Sequence, residues 1–321
     1  MSLIDMSLVH DLTGIPGLRV KISEPLGRHT SMKVGGPADY FLEIEAQMAL
    51  GRALRLLDRF KVPFYLVGKG SNLLVSDSGI RGAVIRLGAG FRRLEWRDEG
   101  ERVLADVGAA YPMTQLVREA AHRGYTGLEF AEGIPGSVGG ALIMNAGAYG
   151  SEMEKVVERV EGVNRRGEAV SFGREEMVFS YRTFGLPTET VVTRVSLRLR
   201  RAPAEEVSQR VRELVARRKT SQPSGYPNSG SMFRNPPGDF AGRLIEAAGL
   251  KGKRVGRAEI STKHANFIVN LGGARARDVR KLMEIAREEV RNRFGIELEP
   301  EVRFLGEWPE REGQPSRVGG Q

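Results

Sequence analysis

Three glycine-rich loops, each set against an apolar run, fall between Thr30 and Gly150, and they constrain the fold more than any other feature of the chain. In VPFYLVGKGSNLLVSD (Val62–Asp77) a strand that reads as buried breaks into a polar loop with almost no side chains. TSMKVGGPADY (Thr30–Tyr40) carries Gly-Gly-Pro just before a strand, and EGIPGSVGGALIMNAGAYG (Glu132–Gly150) carries glycines around the apolar stretch Ala141–Met144. Glycine costs conformational entropy, so a chain that clusters it needs tight turns or lets something approach its backbone. The Val62–Asp77 loop is not a dinucleotide-binding turn. Gly68 and Gly70 are followed by Leu73 where G-x-G-x-x-G requires its last glycine, and no helix-periodic segment opens behind it. A run of backbone N–H groups remains, with Ser71 and Asn72 beside it, a concavity suited to an anion such as a pyrophosphate. Plain turns in an irregular sheet would use the same residues. Three such loops together favour a large flat or phosphorylated ligand.

Around these loops the chain reads as mixed helix and strand. Strands are expected at Ala38–Glu45, Val62–Val67, Gly82–Leu87, Arg102–Gly108 and Thr190–Arg200; the last puts Arg194, Arg198 and Arg200 on one face and Val195, Leu197 and Leu199 on the other. Helices are expected at Gln47–Phe60, with Met48, Leu54 and Leu57 inward, and at Met113–Gly124, which Gly124 would cap. Ala-Pro and two acids at Arg201–Val207 mark a boundary and a helix start, with Val207, Val211, Leu214 and Val215 buried behind it. A further helix spans Ala276–Phe294, with Val279, Leu282, Met283, Ala286, Val290 and Phe294 on one side; Gly295–Gly306 alternates as a strand. The polar tail beyond Trp308 is expected to be disordered.

Composition narrows the chemistry. Cysteine is absent, which excludes disulfides, thiolate catalysis and cysteine-ligated metal. Only four histidines occur, none at metal spacing with another ligand, so no metal site is expected. The formal net charge of +9 favours anionic partners. Aromatic residues do not interleave with the basic clusters Arg217–Lys219 and Lys251–Arg257, so a phosphorylated small molecule is preferred to nucleic acid. No run approaches the roughly 20 apolar residues that span a bilayer, and the first residues lack a signal-peptide pattern. A cytoplasmic protein with no membrane or obligate protein partner is expected.

TSMKVGGPAD, GKGSNLL, EGIPGSVGGA, NAGAYG, SYR, RRKTSQP, NSGSMFRNP, KHANFIVN and GIELEPEVRFLG occur in that order across about residues 25–306. Taken together they resemble the UDP-N-acetylenolpyruvoylglucosamine reductase (MurB) family. The resemblance implies an α+β flavoprotein of three domains. Residues 1–80 and 81–203 would form a two-part FAD-binding fold of the vanillyl-alcohol oxidase type. Residues 204–306 would form an α/β substrate domain whose final strand returns to the active site, leaving 307–321 as the tail. FAD would be tightly bound and NADPH would be the co-substrate. Reduced FAD would convert the enolpyruvyl ether of UDP-N-acetylglucosamine to UDP-N-acetylmuramate, a step of peptidoglycan precursor synthesis. An FAD-dependent oxidase on the same fold is the nearest alternative.

The implied chemistry places demands on particular residues. Hydride addition to an alkene conjugated to a carboxylate drives a second negative charge into that carboxylate, which needs preorganised donors or cations. The neighbouring carbon needs a proton. By resemblance, Arg182 and Glu301 brace the carboxylate, Glu301 as a neutral acid that can donate a hydrogen bond, and Ser231 gives the proton. Ser229 is the rival serine. FAD would be held by Gly35, Gly36, Gly68, Lys69, Gly70, Ser71, Asn72, Leu73, Gly133, Pro135, Gly136, Ser137, Gly139, Gly140, Ala146 and Gly147. Substrate would be held by Tyr181, Arg218, Arg234, Asn235, Lys263 and Arg303, with Asn266 adding hydrogen bonds. Alternation over Ile296–Phe304 puts Glu301 and Arg303 on one face. Two departures stand out. Phe184 replaces the serine common two residues after the YR arginine. The stretch Arg182–Arg201 is also too short for a substrate-clamping tyrosine loop, which places the chain in the loop-lacking subtype and leaves closure to movement of the third domain.

Overall fold

The computed structural model describes residues 4–308; the tail expected to be disordered lies outside them. Three sheets organise the chain. In the first, the strands Leu18–Pro25, Pro37–Ile44, Ile80–Leu87 and Phe64–Leu66 lie side by side in that order; the first pair is antiparallel and the other two pairs are parallel. The helix Gln47–Arg59 makes the crossover and buries Ala49, Leu50, Ala53, Leu54 and Leu57. Met48, expected inward, is 75% exposed, because the apolar stripe of this helix begins one residue later. Phe64–Leu66 is an edge strand with Leu66 exposed, not the buried strand its composition implies. The break expected at residue 80 falls at the start of a strand central to the sheet, so this unit runs on through Leu87.

The second sheet is antiparallel, ordered Ala169–Gly173, Val157–Asn164, Thr190–Arg201, Arg102–Gly108, Leu94–Glu99, with Tyr125–Thr126 added at the end of the long strand. Its apolar face merges with that of the first sheet into one core that includes Leu54, Ile85, Val107, Leu116, Leu142, Val160 and Leu197. The helix Ala204–Ser221 joins this core through Val207 and Val211, so it belongs to the second unit rather than opening the third; Val215 is exposed.

The third unit has an antiparallel sheet ordered Asn228–Ser231, Phe267–Asn270, Ala258–Ile260, Arg254–Val255, with the helices Ala241–Ala247 and Ala276–Phe294. The long helix has the expected bounds and buries Val279, Leu282, Met283, Ala286 and Val290, while Phe294 is exposed. Its core takes in Met32, Val34 and Leu74 from the first unit. The alternating stretch Gly295–Gly306 forms a strand only at Arg303–Leu305, which pairs parallel with Leu73–Val75 directly behind the GKGSN loop. Pro300, which has no N–H for a ladder, makes only an isolated antiparallel bridge with Phe233. Among the described residues no helix is long and apolar enough to cross a membrane.

Candidate active site

Two glycine loops from different units face each other. The Ser71 hydroxyl donates to the Pro135 carbonyl at 2.8 Å. A Cβ at Gly68 would meet Ser137 Oγ at 3.0 Å, and one at Gly136 would meet Ser71 Oγ at 3.2 Å. Among the described residues, none of the backbone N–H groups of Gly68, Lys69, Gly70, Ser71 and Asn72 donates to a protein acceptor. Five consecutive open donors are what a loop that holds an anion requires. They fit a diphosphate-bearing cofactor such as FAD.

Not every predicted glycine needs a ligand to explain it. A Cβ at Gly36 would lie 2.1 Å from the Asp77 carbonyl, and one at Gly70 would lie 2.3 Å from the His29 carbonyl. Both are excluded by the chain's own backbone. Gly35 is similarly pressed on Val75, and Gly139 on Ala109. Gly139 and Gly140 lie in the short helix Val138–Ile143, where Ser137 Oγ accepts from the Gly140 N–H at 3.3 Å. Ala146 is buried, and Gly147 pairs with Glu152. Leu73 opens the strand that pairs with Arg303–Leu305.

Arg182 and Glu301, 119 residues apart in sequence, meet: Arg182 Nε donates to Glu301 Oε1 at 3.0 Å. Arg182 occupies the two-residue turn of a small hairpin, Val178–Ser180 paired with Thr183–Gly185, next to the exposed Tyr181. Its φ is +58°, a left-handed conformation that costs a non-glycine residue about 1–2 kcal/mol. Phe184 supports the hairpin differently from a serine: it is buried and packs on its cross-strand partner Phe179, with ring centroids 4.9 Å apart.

Glu301 is fixed from two sides. Its N–H donates to the Met232 carbonyl at 2.8 Å, and its carbonyl accepts from Asn72 Nδ2 at 3.2 Å. The side chain of Asn72 is thus engaged with the Glu301 segment, and its backbone N–H is the part left open. Burial pushes the Glu301 carboxyl above the usual carboxylate range, against the opposing pull of Arg182 and Arg234. Ser231 immediately precedes Met232 and is half-buried; its hydroxyl has no hydrogen-bond partner among the described residues. Ser229 is buried and donates to the Leu73 carbonyl at 3.3 Å.

The predicted substrate residues divide. Arg218 crosses to the second glycine loop, where Nη1 donates to the Glu132 carbonyl at 2.8 Å over Gly133. Its Nε is buried without a partner, and desolvation lowers its pKa, with Arg182 adding to the effect. Arg234 flanks Glu299 at 4.0 Å, and its Nε is likewise buried and unpartnered. Arg303 donates its backbone N–H to the Asn72 carbonyl at 3.0 Å, and burial and the nearby Arg234 lower its pKa. Lys263 Nζ donates to the Lys219 carbonyl at 2.6 Å. Asn235 and Asn266 do structural work instead: Asn235 Oδ1 accepts from the Ala241 N–H, and Asn266 pairs with both backbone groups of Phe233. Among the described residues no group of three or more His, Cys, Asp or Glu could hold a metal ion.

Two residues of this neighbourhood are not assigned roles by the sequence. Glu132 is buried, with Oε1 3.0 Å from Arg118 Nη2 and Oε2 unpartnered. Asn145 is fully buried beside the Arg182 hairpin, and its place after a short helix, before Ala-Gly, is a signal for a left-handed residue.

Comparison with known proteins decides the family. The C-terminal domain model of UDP-N-acetylenolpyruvoylglucosamine reductase (MurB_C) matches residues 222–305, and an FAD binding domain model matches residues 38–173. UDP-N-acetylenolpyruvoylglucosamine reductase 2 of Symbiobacterium thermophilum is 48% identical over 295 residues, covering 92% of this chain and 94% of the relative. The chain belongs to the UDP-N-acetylenolpyruvoylglucosamine reductase family. The Rubrobacter xylanophilus reductase is 49% identical over 289 residues, covering 89% of this chain and 95% of the relative. The MurB crystal structure from Thermus caldophilus superimposes with a TM-score of 0.78 at 42% identity, covering 90% of this chain and 99% of that one. The FAD binding model thus spans both facing glycine loops, and the MurB_C model spans Ser231 and Glu301.

Proposed function

We infer that this chain is the FAD- and NADPH-dependent reductase that converts UDP-N-acetylenolpyruvoylglucosamine to UDP-N-acetylmuramate, acting in the cytoplasm on a precursor of peptidoglycan. The observation that carries the mechanism is the meeting of Arg182 with Glu301 at 3.0 Å beside Ser231, Asn72 and Arg218. The open N–H groups of Gly68–Asn72 and the facing Gly133–Ser137 loop would hold FAD. When bound, FAD would supply the hydride chemistry that links NADPH to the enolpyruvyl alkene.

The remaining work falls to side chains of this chain. As negative charge accumulates on the substrate carboxylate, the Arg182 guanidinium neutralises part of it. Burial pushes the Glu301 carboxyl toward its neutral form, and in that form it would donate a hydrogen bond to the same oxygens, where an ionised carboxylate would repel them. Ser231 gives its hydroxyl proton to the carbon next to the carboxylate. That transfer requires a strongly basic acceptor, which the dianion provides, and a hydroxyl free to turn toward it. The open Ser231 hydroxyl supports this role over Ser229, whose hydroxyl is engaged with Leu73. Arg218, Arg234, Lys263 and Arg303 supply the positive charge for an anionic UDP-sugar; the field of Arg182 reaches Arg218, and that of Arg234 reaches Glu301.

An anaerobic absorbance titration tests the whole assignment. The purified protein should be yellow, bleach on NADPH and recolour on addition of the enolpyruvyl substrate. Failure to bleach with NADPH would overturn it and favour an oxidase on the same fold.

A further inference from the structure

We propose that Asn145 is the positioning residue of Arg182, the clamp that holds its turn in register with the glycine loops. The reactive guanidinium sits at the tip of a hairpin with three-residue strands. Such a hairpin is not stable by itself, yet it must hold a left-handed residue at φ +58°. Apolar packing by Phe179 and Phe184 fixes its base. Toward the tip, Asn145 Nδ2 donates to the carbonyl of Ser180, the residue immediately before the turn, at 3.1 Å. The other end of the same amide, Oδ1, accepts from the Glu154 N–H at 3.0 Å. The side chain is fully buried and its backbone sits at φ +37°, so the amide has little room to rotate away. Its own N–H is tied to the Leu142 carbonyl at 2.8 Å, at the end of the helix that follows Ser137. A continuous path therefore runs from the second glycine loop through Asn145 to the turn that aims Arg182 at Glu301.

An amide is required at this position. It must accept on one side and donate on the other, and a carboxylate of the same shape can do only the first. Asn145→Asp keeps the bond to the Glu154 N–H and turns an acceptor oxygen against the Ser180 carbonyl. Asn145→Gly suits the left-handed backbone and removes both bonds. Displacing a reacting group by about 1 Å can cost ~100-fold in rate.

This inference rests on the reductase reading, so wild-type protein is first shown to bleach with NADPH and recolour with substrate; failure there refutes the reading and not the clamp. In stopped-flow, Asn145→Asp and Asn145→Gly should reduce flavin with NADPH within about twofold of wild type. Reoxidation by the enolpyruvyl substrate should fall about 10- to 100-fold. In an Arg182→Gly background, Asn145→Asp should add less than about twofold to the loss, because the group it positions is gone. Equal losses in both half-reactions, or the full loss repeated in the Arg182→Gly background, would show a merely structural residue and overturn the proposal. If Asn145→Asp yields no folded flavoprotein, Asn145→Gly carries the same comparison.

Discussion

Replacing Arg182 by glycine and by alanine separates the strain stored in its turn from the work its side chain does. Both variants lose the hydrogen bond to Glu301, which is made by side chains only 20% and 17% exposed, so that loss cancels between them. What differs is the backbone at φ +58°. Alanine keeps a left-handed cost of about 1–2 kcal/mol. Glycine removes it but adds an unfolded-state entropy cost of about 0.5–1 kcal/mol. The balance leaves the glycine variant more stable by about 0.5–1 kcal/mol, or roughly 0.7–1.5 °C in Tm for a chain of this size. Thermal melts of both variants in one buffer measure the difference. In the same samples, recolouring by the enolpyruvyl substrate should be slowed equally, by about 100- to 1,000-fold for loss of one charge-stabilising donor. An alanine variant as stable as the glycine variant would refute the strain. A glycine variant that recolours within tenfold of wild type would remove Arg182 from the chemistry.

Other outcomes follow from the same geometry. Ser231→Ala should bleach normally with NADPH and lose several orders of magnitude in recolouring; equal damage to both halves would end the proton-donor role. Glu301→Gln should impair recolouring and also change how stability depends on pH. Because the folded-state pKa of Glu301 lies above its unfolded value of about 4.3, its stabilising contribution is complete below that value and is lost as pH rises through the folded-state pKa. The Tm of wild type relative to Glu301→Gln should therefore fall as pH rises above about 4.3; a rising difference would mean a lowered pKa. Finally, Ser31 Oγ and Ser229 Oγ lie 3.5 Å apart across the first and third units, and the chain has no cysteine to interfere. An oxidised Ser31→Cys/Ser229→Cys variant should turn over within about twofold of its reduced form, a comparison made by adding and removing reductant. Activity that returns only on reduction would show that these units must separate.

The sequence discloses what is periodic and local. The helix Ala276–Phe294 and the strand Arg102–Gly108 follow from apolar spacing alone, with the right bounds. Spacing does not tell whether a neighbour covers the whole stripe, so Met48, Val215 and Phe294 were expected inside and lie outside. It also cannot tell a glycine crowded by a ligand from one crowded by its own chain: Gly36 and Gly70 are of the second kind. Arg182, Ser231 and Glu301 stand out only through a resemblance in motifs, because nothing local marks two residues 119 apart as partners. Asn145 is harder still to see. Both of its side-chain bonds end on backbone atoms, at Ser180 and Glu154, and a backbone carbonyl or N–H leaves no trace in residue identity.

The absence of room for a clamping tyrosine loop pointed to a swinging third domain as the means of closure, and the way that unit is attached argues against it. Its last strand is paired into the first unit at Leu73–Val75. The carboxylate of Asp77 accepts from the Ala276 and Arg277 N–H groups, at 2.8 and 3.0 Å, and so caps the long helix of the third unit from the first. Asn270 Nδ2 donates to the Met32 carbonyl at 2.9 Å in a fully buried contact, and Met32, Val34 and Leu74 lie inside the third unit's core. A rigid swing would break the strand pairing, the cap, the buried amide bond and a shared apolar core together. At about 1 kcal/mol for each hydrogen bond and roughly 1.5–3 kcal/mol for each large apolar side chain exposed, that cost is comparable to the whole stability of a domain. The element able to move at lower cost is one with few apolar anchors: the segment after Ser221, where Tyr226 stands 53% exposed. Closure by this short segment over a fixed third unit accounts for a site whose two partners, Arg182 and Glu301, are already in contact.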